Sequence, residues 1–166
     1  MRQKRLSDYA YFVMQEADHQ LYKESAVEEL RLGNERASDI DERIAGILDM
    51  LNLTDFAQHH PYALSGGQKQ RLTIGTAMAS SKPIVVLDEP TSGLDWGNMC
   101  AVAQAINQLR ESGRLVFVIT HDIELVDLTA TRVLALAEGR IADDFPLSSQ
   151  AALERTRQIM LGGGLL

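Results

Sequence analysis

The stretch Ile84-Val85-Val86-Leu87-Asp88-Glu89-Pro90 constrains the fold more than any other. Four apolar residues followed by two carboxylates predict a buried strand that delivers acids to its C-terminal end. That edge is where ligands bind in open α/β sheets. Pro90 fixes the exit of the chain, so a surface turn rich in acids fits poorly. Paired acids at a strand tip can divide the labour. One can hold Mg²⁺ through water, because Mg²⁺ uses few protein carboxylates. The next can polarise an attacking water.

With this strand taken as Pro83 to Leu87, apolar runs predict others at Ala10 to Met14, Leu115 to Thr120 and Arg132 to Ala137. An amphipathic stretch from Asn98 to Arg110, with Gly113 placed to end it, predicts a helix between the second and third strands. Glu138-Gly139-Arg140 reads as a turn, after which Ile141 to Phe145 returns as an antiparallel strand. A last helix runs from about Ser148 to Met160, and the tail Gly162-Gly163-Gly164 is expected to be loose. Strands alternating with helices imply an α/β domain with a mainly parallel sheet. A length of 166 residues fits one domain. Cys100 is expected to pack in the predicted helix and Trp96 at its start. Met14, Met50 and Met78 read as core, and His59 and His60 as loop residues without a metal partner.

Charge and cysteine content narrow the function. The net charge of −7 argues against a nucleic-acid partner, which calls for a basic surface. A single cysteine excludes an internal disulfide framework and any multi-Cys zinc site, and suits a reducing, cytoplasmic compartment. The longest apolar runs fall far short of the ~18–20 residues of a membrane span. The basic start Met-Arg-Gln-Lys-Arg is not followed by the apolar stretch of a signal peptide, because Ser7, Asp8 and Gln15 interrupt it.

The acidic excess is local. Residues 16–55 hold 11 acidic and 4 basic side chains, a balance equal to the net charge of the whole chain. This segment reads as helical: Ile40, Ile44, Ile47, Leu48 and Leu51 form one apolar stripe. Ser38 is placed to cap that helix, with Asp39, Asp41 and Glu42 in its first turn. The carboxylates form either a solvated helical face or a docking surface for a basic partner.

The stretch Leu64-Ser65-Gly66-Gly67-Gln68-Lys69-Gln70-Arg71 carries the most chemistry. Ser65 followed three residues later by Gln68 has the form of a capping box opening a helix. Gly66 and Gly67 let a ligand approach the backbone closely. Together they make a helix start with free N–H groups, suited to phosphate; from these residues alone, a well-capped helix remains the other reading. His121 follows the third strand at the edge where the acids of the second should end.

These residues resemble motifs of the ABC ATPases in family order and spacing. Leu64 to Arg71 resembles the signature motif, and Ile84 to Glu89 the Walker B strand with its catalytic glutamate. Ser92, Gly93, Leu94 and Asp95 resemble the D-loop, His121 the switch histidine and Gln15 the Q-loop glutamine. The resemblance covers about residues 8 to 145. The segment from Gln15 to Tyr22, continuing to Val27-Glu28-Glu29-Leu30, is similar to the energy-coupling-factor (ECF) and cobalt-type importers. The family departs in one respect: no Gly-x-x-x-x-Gly-Lys-Ser/Thr sequence occurs. By this resemblance the chain looks like the C-terminal portion of an ABC ATPase without its Walker A loop. The divisions would be 16–80 for the Q-loop, helical subdomain and signature helix, 81–145 for the Walker B, D-loop and switch core, and 146–166 for a C-terminal helix and tail.

The resemblance implies a P-loop NTPase-type sheet with an α-helical subdomain, and ATP and Mg²⁺ as ligands. Glu89 would polarise the attacking water, and His121 would contact the γ-phosphate. Asp88 would hold Mg²⁺ through water, with Gln15 approaching the same ion. Ser65, Gly66, Gly67 and Gln68 would contact nucleotide held by a second ABC subunit, identical or different. Asp95 would help link the two composite sites. Membrane-embedded transporter subunits would be the other partners, placing the chain on the cytoplasmic face of the membrane. ECF-type membrane subunits would present arginine-bearing helices to the acidic segment. Without the Walker A loop the chain alone is expected to be inactive, which leaves open a non-enzymatic dimerisation or docking role. A soluble ABC ATPase of DNA repair fits less well. The 49 positions from Gln15 to Leu64 leave room for a compact helical subdomain, with neither a long coiled coil nor a zinc-bearing insert. The family's Walker A strand would lie between the strands at 115–120 and 132–137. Strands 10–14, 84–87 and 115–120 are therefore expected to form a sheet with apolar faces uncovered, and 132–137 to be displaced, filled in or paired with another molecule.

Overall fold

The computed structural model describes residues 5–33 and 38–162. They form two compact units, divided between Ile119 and Thr120. The division falls inside the 81–145 segment read from the sequence. Glu35 and Arg36 of the acidic segment, and Gly163 and Gly164 of the tail, lie outside the described residues.

The first unit is built on a three-stranded parallel sheet of β1 (Ala10–Val13), β2 (Ile84–Asp88) and β3 (Leu115–Ile119), in that order. Phe12 pairs with Val86, which pairs with Phe117, and Asp88 with Ile119. This is the sheet expected from the sequence, with the strand at 132–137 outside it. Strands alternate faces, so Val13, Val85 and Leu87 turn to one side and are buried. On the opposite face Phe12, Leu115, Phe117 and Ile119 stay exposed. Runs this apolar suit a sheet covered on both faces. The uncovered side exposes Met14 too, correcting its place in the core; Met78 is buried and Met50 half-buried.

The outer edge of β1 is covered by a side chain. The Tyr9 carbonyl accepts from Ile84 N, so alternate residues Phe12 and Met14 direct their backbone away from β2. Gln20 answers both: its Nε2 donates to the Phe12 carbonyl and its Oε1 accepts from Met14 N, each at 2.7 Å. One amide thus occupies a stretch of edge that a further strand would otherwise pair with.

Helices α1 (Ala26–Arg31), α2 (Ile40–Met50) and α3 (Gly66–Ala79) pack together, and α4 (Trp96–Glu111) connects β2 to β3. Among its described residues the acidic segment is helical as expected, in α1, α2 and short 3-10 turns at Ala17–His19 and Thr54–Phe56. Ser25 caps α1, its Oγ accepting from Glu28 N. The expected cap at Ser38 does not form: α2 starts at Ile40 with Asp39 in the cap position and no side-chain bond. Ile40, Ile44, Ile47 and Leu48 face inward as the stripe predicts, and Leu51 is buried just beyond the helix. Gly75 sits where α1 and α2 cross α3; a β-carbon there would lie 2.9 Å from Leu30 Cδ2 and 3.1 Å from Ile47 Cγ2. Trp96 corrects another expectation. It occupies the first turn of α4, ahead of the buried Met99, Val102, Ala103 and Ile106, and is exposed. Gly113, at φ +85°, ends the chain's excursion through α4 as expected. Cys100 lies half-buried in α4.

The second unit comprises α5 (Ile123–Thr129), β4 (Arg132–Ala137), β5 (Arg140–Pro146) and α6 (Gln150–Met160). Strands β4 and β5 form an antiparallel hairpin, joined through Glu138 and Gly139 at φ 49° and 73°. Two positive φ values in a two-residue loop match the right-handed twist of the strands. Arg132 grips Asp144 with two hydrogen bonds, of 2.6 and 2.8 Å, across the hairpin. Among the described residues no helix is long and apolar enough to cross a membrane.

Candidate functional site

Helix α3 opens as the sequence predicts. Ser65 Oγ accepts from Gln68 N at 3.3 Å, and Gln68 Oε1 accepts from Ser65 N at 2.8 Å. This reciprocal box takes the Gln68 N–H and leaves those of Gly66 and Gly67 with no acceptor within the helix. A β-carbon at Gly66 would meet nothing within 4 Å, so the opening is sterically clear. At Gly67 it would lie 3.0 Å from Leu94 Cδ2. Leu94 therefore packs against the glycine-rich turn of the same chain, and a side chain at position 67 would have to displace it.

Strand β2 ends at Asp88, and Glu89 follows with φ 47°. Non-glycine residues rarely adopt this left-handed conformation, which carries a cost of about 1 kcal/mol or more. Hydrogen bonds from neighbouring elements hold it. Glu89 N donates to the Ile119 carbonyl at 2.9 Å, while the Glu89 carbonyl accepts from Ser92 N at 3.2 Å and, weakly, from Gln70 Nε2 at 3.4 Å. Gln70 is only 4% exposed, and its contact joins α3 directly to the backbone that carries the Glu89 carboxylate. Sequence reasoning assigned Gln70 no role. The available signal is its spacing: residues 70, 74 and 77 share the buried face of the helix.

The segment 92–95 turns at Gly93, φ +73°, with Leu94 N donating to the Thr91 carbonyl at 3.1 Å. Asp95 caps α4, its Oδ1 accepting from Asn98 N and its Oδ2 from Asn98 Nδ2, both at 2.9 Å. Arg71 is buried on the next turn of α3 and donates from Nε to the Leu51 carbonyl at 2.8 Å. Burial pushes its guanidinium pKa down, and the charge of Asp95 acts against that shift. Helix α3 therefore connects the glycine-rich turn, the strand-tip glutamate and the helical segment.

Gln15 lies exposed in the bend after β1. Its neighbourhood is tied to α3 through an ion pair of Asp18 Oδ1 with Lys69 Nζ at 2.6 Å. His121 belongs to the second unit and is exposed, next to Asp122. The Asp122 carboxylate caps α5, accepting from Glu124 N at 3.0 Å and Leu125 N at 3.1 Å. His59 and His60 are exposed, and His60 stacks on Tyr62. Among the described residues no group of three or more His, Cys, Asp and Glu side chains gathers as a metal cage. Consecutive carboxylates at one strand tip suit instead a Mg²⁺ whose other ligands are phosphate oxygens and water.

A family model described as ABC transporter matches residues 2–92. A putative ABC transporter ATP-binding protein of Treponema denticola is 39% identical over 148 residues, covering 89% of this chain and 30% of that protein. The putative HMP/thiamine import ATP-binding protein YkoD of Bacillus subtilis is 33% identical over 143 residues, covering 86% of this chain and 26% of that one. The chain thus spans about a third or less of the length of these curated relatives. Among solved structures, the ATP-binding cassette MJ0796, dimeric and bound to ADP and Pi, superposes with a TM-score of 0.71 at 30% identity. The match covers 85% of this chain and 64% of that one. CbiO1 from Clostridium perfringens shares the fold, with a TM-score of 0.69 at 24% identity, over 95% of this chain and 66% of that one. The family match lies over the glycine-rich turn and the strand-tip carboxylates whose geometry is described above, and the chain belongs to the ABC transporter ATP-binding protein family.

Proposed function

We propose that this chain contributes the signature, Walker B, D-loop and switch elements of an ATP-hydrolysing site in an ABC importer. The observation that carries the reading is Glu89, held in a left-handed backbone at the tip of the central strand β2 and braced by the signature helix through Gln70. Glu89 is the residue that polarises the attacking water, and His121 contacts the γ-phosphate. Asp88 and Gln15 serve Mg²⁺, which when bound neutralises phosphate charge. Phosphoryl transfer depends on positioning and charge stabilisation. Ser65, Gly66, Gly67 and Gln68 contact the nucleotide of a second ABC subunit, as the dimeric state of MJ0796 supports. Ser92, Gly93, Leu94 and Asp95 lie at that dimer contact. The 166 residues contain no P-loop sequence, so the phosphate cradle comes from outside them, and the chain alone does not turn over ATP.

Import is supported by the putative HMP/thiamine import protein of Bacillus subtilis among the relatives, and the ECF type by the resemblance of Gln15 to Tyr22 and Val27 to Leu30. The partner surface is the acidic segment, docking on basic helices of membrane subunits at the cytoplasmic face. Its charges divide. Asp18 and Asp41 pair with Lys69 and Arg31, and Glu29 is buried, which removes Glu29 from the docking set. Glu24, Glu28, Glu42, Asp49 and Asp55 remain exposed, with the apolar Tyr22 and Leu32 exposed on the same segment.

The test is purification of the tagged chain from its own cells in Mg-ATP. An ABC subunit bearing Gly-Lys-Ser or Gly-Lys-Thr should accompany it, and the ATPase activity of that complex should be abolished by Glu89→Gln. Turnover by the isolated chain with micromolar affinity, or a complex indifferent to both Glu89→Gln and Ser65→Ala, would overturn the proposal.

A further inference from the structure

Helix α3 ends at Ala79, where its last carbonyls have no intrahelical donors. Two arginines from other elements meet them. Arg114 donates from Nη1 to the Ala77 carbonyl at 3.0 Å and from Nη2 to the Met78 carbonyl at 3.3 Å. Arg43 donates from Nη2 to the Ala79 carbonyl at 3.1 Å. A helix C-terminus presents about half a negative charge, against two full positive ones. Among the described residues neither arginine forms an ion pair. Burial lowers the Arg114 pKa, and the charge that lowers it further is Arg43 itself. Two cations held together without a carboxylate leave the local charge uncompensated.

Both arginines line a cavity of about 360 Å³ within the first unit. Its apolar lining comes from Ile47, Met50, Met78 and Leu109. We infer that this cavity binds a small phosphate monoester with an apolar body. A phosphate monoester carries close to two negative charges at neutral pH, matching the two arginines. Guanidinium forks donate paired hydrogen bonds to phosphate oxygens. The volume lies in the range of small-ligand sites, which are lined mainly by apolar side chains with a few placed polar groups. The cavity stands at the far end of α3 from Ser65, about 20 Å along a 14-residue helix, so it is separate from the nucleotide contacts proposed above. A ligand bridging Arg43 and Arg114 ties α2 to the start of β3.

The test uses the 166-residue chain and two probes, hexyl phosphate and inorganic phosphate, followed by calorimetry and by amide NMR shifts. Hexyl phosphate should bind one saturable site at least tenfold tighter than inorganic phosphate, shifting the amides of Gly46, Ser112 and Arg114. Gly46→Leu fills the cavity while leaving both arginines. A β-carbon at Gly46 meets nothing within 4 Å, so α2 tolerates the change. Gly46→Leu should abolish binding, and Arg43→Gln should weaken it at least tenfold, with unchanged circular dichroism. Vesicles with and without phosphatidic acid separate a lipid source from a soluble one, since only a lipid phosphate sediments the chain in a Gly46→Leu-sensitive way. Binding that survives both substitutions, or shifts confined to Phe12 and Phe117 on the open sheet face, would overturn the inference.

Discussion

Substituting Gly75 by Ala tests the packing of α1 and α2 against α3. The added carbon would stand 2.9 Å from Leu30 Cδ2, 3.1 Å from Ile47 Cγ2 and 3.2 Å from Leu51 Cδ1. Comfortable carbon contacts lie near 3.5–4.0 Å, so Leu30 must retreat by roughly 0.6 Å or more. Leu30 and Leu51 are fully buried, which leaves those two little space to withdraw. Overpacking of this kind costs about 1–3 kcal/mol. The helical preference of Ala over Gly returns about 1 kcal/mol. The net expectation is a loss of up to about 2 kcal/mol. Gly46→Ala in α2 is the matched control, since the same exchange there meets open space and should stabilise by about 0.5–1 kcal/mol. Urea denaturation followed by far-UV circular dichroism reads both. With an m-value of about 2 kcal/mol/M, the two midpoints should separate by roughly 1 M. Equal stabilisation by both substitutions would refute the steric argument, because propensity alone would then account for them.

Glu29 is 3% exposed and its carboxylate accepts from the backbone N–H groups of Tyr22 and Lys23. Glu29→Gln should cost about 1.5–3 kcal/mol and speed hydrogen exchange at those two amides, whereas Glu28→Gln, on the exposed side, should change neither. Ser65→Ala should cost about 1 kcal/mol by loss of the cap, read by the same denaturation, and Ser65→Gly only a few tenths. The pKa of Tyr11 is raised, by burial first and also by the charge of Glu29, against the hydrogen bond its hydroxyl makes to Thr76. A raised folded-state pKa gives stability that is complete below about pH 10 and lost as pH rises through the folded value. The denaturation midpoint should therefore fall above that pH, and Tyr11→Phe should flatten the alkaline limb.

The strands were legible because β-branched and apolar runs bounded by Pro83, Pro90 and Gly113 leave little choice of position. The capping box at Ser65 was legible because it is a local agreement between two side chains and one turn of backbone. Exposure was harder to read. Met14 and Trp96 are apolar by type, but their surroundings are set by what covers one sheet face and one helix end. Glu28 and Glu29 are adjacent and chemically alike, yet one is exposed and the other buried. The helical spacing of Ala26, Glu29 and Leu30 places Glu29 on the inner face, a signal that charge counting hides. Gln70 and Arg71 bond to carbonyls 19 and 20 residues away, and no local pattern specifies such partners.

The backbone of Glu89 has a consequence for protein engineering. Asn52 and Glu138 also have positive φ, and Glu138 lies in a hairpin loop, where the conformation serves chain reversal. Glu89 adopts it directly after the central strand β2, where glycine would relieve the strain. Glu89→Gly removes the carboxylate while easing the backbone, so a library screened for heat resistance alone would favour it and discard the proposed catalytic group. Screens that also demand turnover would restore glutamate. Position 89 would then register the conflict between durability and activity as opposite enrichments of one substitution.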